Sequence, residues 1–300
     1  MNVKSIAPEH IAGRVLVFAA VALIAAQAVA GGNFERGLLW KIESPGVEPS
    51  YLFGTMHSED PAVVRLPGPV RRAFESASGV TLEVVLDPAS LLTMTSAFML
   101  GDGSTLQKHV GTPLYRRAVD AMAGYGMPEM MVAGMKPWAV AVTLMTPPSE
   151  TGMVLDLVLY QQALGAGKPV DGLETPMEQL AVFDSLSVQE QTALLKDTLD
   201  NLDGVQRMLD QLKFAYLARD LRRLVEISDA SSSMYESDPD LARRFNDKLI
   251  TERNHRMAER LQSRLGKGRQ FIAVGALHLP GDEGLLSLLS GKGYRVSMVY

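Results

Sequence analysis

Short apolar runs with strand character lie near both ends of the chain and once in its middle. Each run has the length and the β-branched or aromatic content of a β-strand. The first two runs are separated by the turn-forming sequence PGVEP at residues 45–49, which predicts a β-hairpin. The predicted strands are residues 38–43, 50–54, 80–85, 168–173, 270–275 and 294–300.

Helical patterns fill most of the remaining chain. Ser187 and Glu190 form a capping box, in which each side chain satisfies a free backbone N–H, and it opens a helical region that reaches about residue 228. A second helix is predicted from Asp238-Pro239 to Gly266, because proline is favoured in the first turn of a helix. Shorter helices are predicted at residues 69–76 and 284–289. The pattern therefore predicts an α/β fold: a mixed central sheet flanked by helices, with a helical insertion or cap between the N- and C-terminal strand clusters.

The first 30 residues have the pattern of a cleaved signal peptide. Lys4 and Arg14 precede an uninterrupted apolar run of 12 residues, and the small residues Ala28-Val29-Ala30 follow it. A membrane-spanning helix needs roughly 20 apolar residues, so an uncleaved anchor is the less favoured alternative. We expect cleavage near Ala30, a periplasmic or secreted location, and no stable membrane insertion afterwards.

Composition limits what the remaining chain, residues 31–300, can be. The net charge is −5 before cleavage and becomes −6 once Lys4, Glu9 and Arg14 are removed, which argues against nucleic acid as a partner. The chain has no cysteine, so disulfide bonds and thiolate chemistry are excluded. A chain of this length with 47% hydrophobic residues can bury a core of its own, and we expect residues 31–300 to form a single domain.

Eight of the sixteen methionines fall within residues 91–146. Because methionine adapts to irregular shapes, such a segment could be an apolar lid over a substrate cleft. A helical layer with a methionine-rich core is the favoured alternative.

Two of the five histidines occur in matching sequence contexts. Gly54-Thr-Met-His57 follows one apolar strand, and Gly275-Ala-Leu-His278 follows another, so each strand ends in the motif GxxH. Gly54 and Gly275 are expected to act as hinges that let the chain leave the strand without a Cβ clash. Because sites in open α/β sheets collect at the carboxyl ends of strands, neighbouring strands would bring the two imidazoles together. The alternative is that both histidines only cap loops.

Glu83 is the best candidate for a carboxylate beside this histidine pair. It lies within the apolar strand 80–85, where an ionised side chain is costly unless it is paired or bound to a metal. Two histidines and one glutamate are a common ligand set for a divalent metal such as Mn²⁺, Co²⁺ or Zn²⁺. His57, His278 and Glu83 are therefore the predicted metal ligands. The alternative places Glu83 on the solvent face of an edge strand.

Further polar candidates lie elsewhere in the chain. Asn254 is a poor helix-interior residue, which hints at a hydrogen-bonding role, and Arg253 beside it could bind a carboxylate or an oxyanion. A solvated helix face is the equal alternative for both. Asp156 and Glu174 are lesser candidates, as supporting carboxylates or helix caps. The remaining histidines beyond residue 30, at positions 109 and 255, are interpreted as surface residues.

Together these segments resemble the TraB/GumN family, which includes Tiki-like proteins and lies within the erythromycin-esterase/ChaN-like superfamily. The resemblance covers residues 38–300 and depends on the two GxxH motifs, Glu83, the stretch Gly172-Leu-Glu-Thr and the Glu252-Arg-Asn sequence. It implies an α/β fold and metal-dependent peptide cleavage. It also implies that His57, Glu83, Arg253, Asn254 and His278 form the functional cluster.

Three functions are consistent with the sequence. The first is an exported, metal-dependent hydrolase, peptidase-like, in which a metal-activated water attacks a peptide or other small-molecule substrate. The second is a metal-independent ester or amide hydrolase with one histidine as general base. The third is a non-catalytic protein that binds haem or a peptide. The oligomeric state does not follow from the sequence.

Overall fold

A computed structural model describes residues 34–231 and 239–300 of the chain. Within these residues a six-stranded mixed sheet is flanked by helices, which confirms the predicted fold class. The signal peptide predicted for residues 1–30 lies outside the described part of the chain. The strands are β1 (Leu39–Ser44), β2 (Val47–Thr55), β3 (Gly79–Val84), β4 (Val170–Glu174), β5 (Gln270–Gly275) and β6 (Arg295–Met298).

The strand order in the sheet is β4-β3-β5-β2-β1-β6. The first four strands of this order are parallel, so their carboxyl ends meet at one edge of the sheet. Strand β1 pairs antiparallel with β2, which confirms the predicted hairpin, and its other edge pairs antiparallel with β6. The turn is tighter than predicted: only Pro45 and Gly46 separate the two strands, and Gly46 has a φ of +74°, which favours glycine.

The helices lie in two main runs, one between β3 and β4 and one between β4 and β5. The predicted capping box at Ser187 begins the helix Val188–Asp200, and a second box, Thr175 with Glu178, begins the helix Pro176–Asp184. The helices are α1 (Pro61–Val64), α2 (Gly68–Ser76), α3 (Pro88–Ala97), α4 (Leu106–Val110), α5 (Thr112–Ala123), α6 (Glu129–Ala133), α7 (Pro137–Leu144), α8 (Leu155–Gly165), α9 (Pro176–Asp184), α10 (Val188–Asp200), α11 (Leu202–Leu217), α12 (Leu221–Ser231), α13 (Pro239–Asn246), α14 (Glu252–Leu265) and α15 (Leu285–Gly291).

Two predicted helical regions are interrupted in the structure. The region that begins at Ser187 is three helices, α10 to α12, because the chain bends at Asn201 and again at residues 218–220. The region that ends near Gly266 contains a π-helical turn, Asp247–Thr251, between α13 and α14. A π-turn holds one more residue than an α-turn, so it changes the direction in which the side chains that follow it point. The predicted start of this region, Asp238, lies outside the described residues.

The core lies on both faces of the parallel strands. Every residue of β3 and β5 is buried, as expected for strands covered on both faces. Phe271 on β5 packs against Phe53 and Phe74, with ring centroids 5.9 Å and 5.3 Å away. The methionine-rich segment contributes core rather than an exposed lid, since five of its methionines are buried; Met130 is 83% exposed. The buried methionines are Met94, Met122, Met127, Met135 and Met145.

None of the helices in residues 34–231 and 239–300 combines the length and the apolar character that crossing a bilayer requires.

Candidate functional site

The parallel pairing of β2 with β5 brings the two GxxH motifs side by side. Gly54 pairs with Val274, and Thr55 pairs with Gly275, so the strands end at the same level of the sheet. His57 therefore lies just beyond one strand end and His278 just beyond the next. Strand β3 pairs with the other edge of β5, and it places Glu83 at the same edge of the sheet.

Neither motif glycine is required by its backbone conformation, but Gly54 is required by close packing. Gly275 has ordinary torsion angles, a φ of −51° and a ψ of 135°, and neither glycine is among those with positive φ. A Cβ atom on Gly54 would lie 2.8 Å from Leu279 Cδ1 and 3.1 Å from Ala276 Cα. A Cβ atom on Gly275 would lie 3.4 Å from both Glu83 Oε2 and His278 Cδ2. Gly54 therefore leaves space that a Cβ atom would fill, and the hinge role of the two glycines stays a prediction.

His278 is fully buried and is oriented by Asn254. Its Nδ1 lies 2.6 Å from Asn254 Oδ1, while Asn254 Nδ2 donates to the backbone oxygen of Glu283 at 2.7 Å. Because the amide oxygen only accepts, Nδ1 carries the proton and Nε2 keeps its lone pair. Burial lowers the pKa of His278 to about 4, so the ring is neutral at pH 7. Its Nε2 has no hydrogen-bond partner and lies 3.8 Å from Glu83 Oε2.

His57 faces a carboxylate, through an ion-pair contact that lacks the geometry of a hydrogen bond. Its Nδ1 lies 3.0 Å from Asp156 Oδ2, and Asp156 Oδ1 accepts from Thr55 Oγ1 at 2.9 Å. Burial alone would lower the pKa of His57, but the negative charge of Asp156 outweighs it and raises the pKa above its usual value. The Nε2 atom of His57 is buried and has no hydrogen-bond partner. Both motif histidines thus present an unpartnered Nε2 at the same sheet edge.

Glu83 lies in a buried network of charges, not on a solvent face. Its Oε1 accepts from Arg253 Nη2 at 2.5 Å and from Gln179 Nε2 at 2.8 Å, and its Oε2 accepts from the Gly275 N–H at 2.9 Å. Burial raises the pKa of Glu83, but the Arg253 guanidinium outweighs that effect and brings it down to about 2. Glu83 is therefore ionised at neutral pH.

Arg253 is the centre of this network. Its Nε and Nη2 donate to Glu174 Oε2 at 2.9 Å and 2.7 Å, and its Nη1 donates to the Leu249 carbonyl at 3.1 Å. With the bond to Glu83, four of its five N–H groups are used, and the side chain is 2% exposed. Arg253 and Asn254 follow the π-turn, and both are buried rather than on a solvated helix face. Both are engaged by protein groups, so the structure shows them supporting the histidines and carboxylates.

Of the remaining candidates, the two carboxylates lie in the cluster and the two histidines lie outside it. Asp156 lies against His57, and Glu174 lies against Arg253, so both belong to the cluster. His255 is exposed and lies 2.5 Å from Glu283, and His109 contacts Ser104. Neither of these two histidines joins the cluster.

Three residues of the site escaped the sequence interpretation. Gln179 supports Glu83 from helix α9, Tyr216 donates its hydroxyl to the Gly54 carbonyl at 3.0 Å, and Glu59 accepts N–H groups from the loop 149–152. Gln179 and Tyr216 carry no sequence signal, because only the fold places them there. Glu59, two residues after His57, could have been found as a charged residue directly following the motif.

A cavity of about 70 Å³ opens beside the two imidazoles. His57, His278 and Thr55 line it, and the rest of its lining is mainly apolar. The site thus combines two free imidazole nitrogens, an ionised carboxylate and a small apolar space.

The sequence pattern of the TraB/PrgY/gumN family matches residues 38–298, which is most of the chain. The chain belongs to this family. The match spans all six strands of the sheet and every residue of the cluster described above.

Curated relatives of this TraB/PrgY/gumN protein include metalloproteases. The chain is 27% identical to metalloprotease TIKI2 of Danio rerio, over 87% of this chain and 60% of that protein. It is 26% identical to human metalloprotease TIKI1, over 87% of this chain and 61% of that protein. It is 25% identical to the uncharacterized protein YbaP of Shigella flexneri, over 83% and 90% of the two chains. The chain thus spans about three fifths of the TIKI proteins it matches. No solved structure gives a significant match.

The names of these relatives imply a metal, and the cluster matches that expectation in part. The two Nε2 atoms are buried and unpartnered. The ring of His278 is oriented by a hydrogen bond at Nδ1, as is usual for metal-ligating histidines, and Nδ1 of His57 makes an ion-pair contact with Asp156. The third predicted ligand, Glu83, already accepts three hydrogen bonds. In the described part of the chain no group of three or more His, Asp or Glu side chains is arranged to hold a metal ion. The Nε2 atoms of His57 and His278 are thus free to bind a metal, whereas the Glu83 carboxylate already accepts hydrogen bonds from the protein.

Proposed function

We propose that this protein is a metal-dependent hydrolase that cleaves peptide bonds at the paired GxxH site. One observation supports this more than any other: His57 and His278 present buried, unpartnered Nε2 atoms at one sheet edge beside a cavity. A buried polar atom without a partner is costly, and a bound ligand would remove that cost. The family membership and the metalloprotease names of the TIKI relatives agree with the proposal.

In this proposal each residue of the cluster has a defined task. His57 and His278 would hold the metal, while Asp156 and Asn254 fix the orientation of their rings. When bound, such a metal supplies Lewis-acid polarisation of the substrate carbonyl and lowers the pKa of its water. Glu83 remains ionised because of Arg253, and its negative charge near His278 favours a cation at this place.

The protonation states of the histidines suit this role. A metal ligand must be a neutral imidazole, and burial keeps His278 neutral at pH 7 by lowering its pKa to about 4. His57 has a raised pKa because of Asp156, so protons compete for its Nε2 at mildly acidic pH. Metal affinity and activity should therefore rise as the pH rises through the pKa of His57.

The test is peptide cleavage with and without the metal. The protein is incubated with a mixed peptide library, and products are identified by mass spectrometry before chelation, after chelation, and after refilling with Mn²⁺, Co²⁺ or Zn²⁺. We expect cleavage that chelation abolishes and one of the metals restores. His57→Ala should be inactive throughout, whereas the matched surface variant His109→Ala should behave as wild type. Cleavage that survives chelation would contradict metal dependence.

One observation favours a second candidate, a metal-independent hydrolase. The contact of His57 Nδ1 with Asp156, with Nε2 left free, is also the arrangement of a histidine that acts as general base on water. This candidate predicts activity that resists chelation, is lost in His57→Ala, and is reduced by Asp156→Asn. Chelator sensitivity therefore separates the two candidates.

We also propose that the protein is exported, on the basis of the leader pattern in residues 1–30. N-terminal sequencing of the protein recovered from outside the cytoplasm should begin near residue 31. An intact Met1 in that fraction would contradict cleavage.

A further inference from the structure

The cavity beside the two imidazoles is lined by a few polar side chains and by an apolar wall. The polar side chains include His57, His278, Thr55 and Thr146. The wall comes mainly from one face of helix α11, where Leu209, Leu212 and Tyr216 follow a helical spacing of three and four residues. A substrate group that occupies this space therefore lies against both the imidazoles and hydrocarbon.

The wall is held in place by the fold. Leu212 and Tyr216 are 6% and 4% exposed, and the Tyr216 hydroxyl is bound to the carbonyl of Gly54, the first residue of a GxxH motif. Leu224 of helix α12, which packs against α11, completes the same side of the cavity. A rigid wall of this kind selects by size, because it cannot move aside for a larger group.

The volume sets the size of group that fits. The cavity measures about 70 Å³, whereas an apolar protein cavity that binds benzene measures about 150 Å³. A space of this volume favours a branched aliphatic group over an aromatic ring. A charged group would lose its water against the apolar wall without gaining a partner there.

We propose that this cavity is the specificity pocket of the site and receives an aliphatic side chain of the substrate, the size of valine or leucine, adjacent to the bond that is cleaved. The proposal rests on the proposed hydrolase function for its substrate. Its physical content, selective binding of a small aliphatic group beside His57 and His278, is independent of catalysis.

The binding test uses three amides of increasing side-chain size: acetamide, isovaleramide and phenylacetamide. Binding is followed by NMR through the imidazole C–H resonances of His57 and His278, assigned with the two alanine variants. We expect isovaleramide to bind at least about tenfold more tightly than the other two. It has three more carbons than acetamide, and one methylene group in an apolar pocket is already worth about tenfold or more. Equal binding of all three amides, or no binding of isovaleramide, would overturn the proposal.

Two variants change the size of the pocket in opposite directions. Leu212→Phe fills it and should abolish isovaleramide binding, whereas Leu212→Ala enlarges it and should admit phenylacetamide. The matched control is Met208→Ala, which removes a buried side chain one turn earlier on α11 that does not line the cavity. Its amide preference should equal that of wild type. If Leu212→Phe does not fold, Leu212→Ala alone decides, and an unchanged preference would overturn the proposal.

The peptide library separates this inference from the proposed function. Cleavage next to valine or leucine, with Leu212→Ala shifting it towards phenylalanine, supports both. Cleavage without regard to the neighbouring side chain overturns the pocket but leaves the hydrolase. Selective binding of isovaleramide without any cleavage overturns the hydrolase but leaves the pocket.

Discussion

Replacement of Arg253 by methionine should destabilise the protein strongly, and the effect should depend on pH. Methionine keeps most of the volume of the side chain but removes the positive charge between Glu83 and Glu174. Both carboxylates are buried, with 5% and 0% of their side chains exposed. Removing one partner of a buried ion pair typically costs about 3–5 kcal/mol, because the remaining charge is left without compensation. Here that charge is Glu83, since Glu174 keeps an ion pair with Arg256 at 2.6 Å.

The depressed pKa of Glu83 corresponds to a change of similar size in the free energy of unfolding. In the folded protein it is about 2, against 4.5 as the usual value. A difference of this size corresponds to about 3 kcal/mol at neutral pH, since each pKa unit is worth about 1.4 kcal/mol. Because the folded pKa is depressed, this stabilisation is present above about pH 4.5 and is lost as the pH falls towards 2.

The assay is urea unfolding of wild type and Arg253→Met at pH 7 and at pH 4 or below. We expect a loss of about 3–5 kcal/mol in the free energy of unfolding at pH 7 and a smaller loss at low pH, where Glu83 can take up a proton. Arg116→Met is the control, because Arg116 and its partner Glu129 are both exposed. The reasoning is refuted if Arg253→Met costs no more than Arg116→Met, or if its cost is the same at both pH values.

Two further predictions concern the GxxH motifs. Gly54→Ala should lower the free energy of unfolding by about 1–3 kcal/mol, because its Cβ would lie 2.8 Å from Leu279 Cδ1 and force the packing apart. The control is Gly165→Ala, whose Cβ would meet nothing within 4 Å and which should leave thermal unfolding unchanged. Asp156→Asn removes the charge that raises the pKa of His57, so the rising limb of the pH–activity profile should move to lower pH; an unmoved limb would show that His57 does not set it.

The sequence was most informative where a local pattern determines local structure. The strand at 270–275 and the hairpin that begins at residue 38 follow from short apolar runs, and the helix after Ser187 begins at its capping box. The duplicated GxxH motif indicated that two strands end alike. The sheet places those strands, β2 and β5, next to each other and parallel.

Partners that are distant in sequence could not be predicted in this way. Asp156 is 99 positions from His57, and Gln179 is 96 positions from Glu83, so only the folded chain brings each pair together. The stretch around Arg253 is polar enough for a solvated helix face. Arg253 is nevertheless buried, because its charge is balanced by the carboxylates of Glu83 and Glu174.

The role of Asn254 could be predicted only in part. A poor helix former inside a helix indicated a hydrogen-bonding task, and the structure shows that task as the orientation of His278. The π-turn that precedes it has no local sequence signal. That the cluster is functional stays a prediction.

The central claim is that the two GxxH imidazoles hold one divalent metal together. Its most direct test is the metal content of the purified protein after refilling with Mn²⁺, Co²⁺ or Zn²⁺ and dialysis, compared among wild type, His57→Ala, His278→Ala and the surface variant His109→Ala. The account predicts about one metal ion per chain in wild type and in His109→Ala, and none in the two site variants. No retained metal in wild type, or full retention in either site variant, would contradict it.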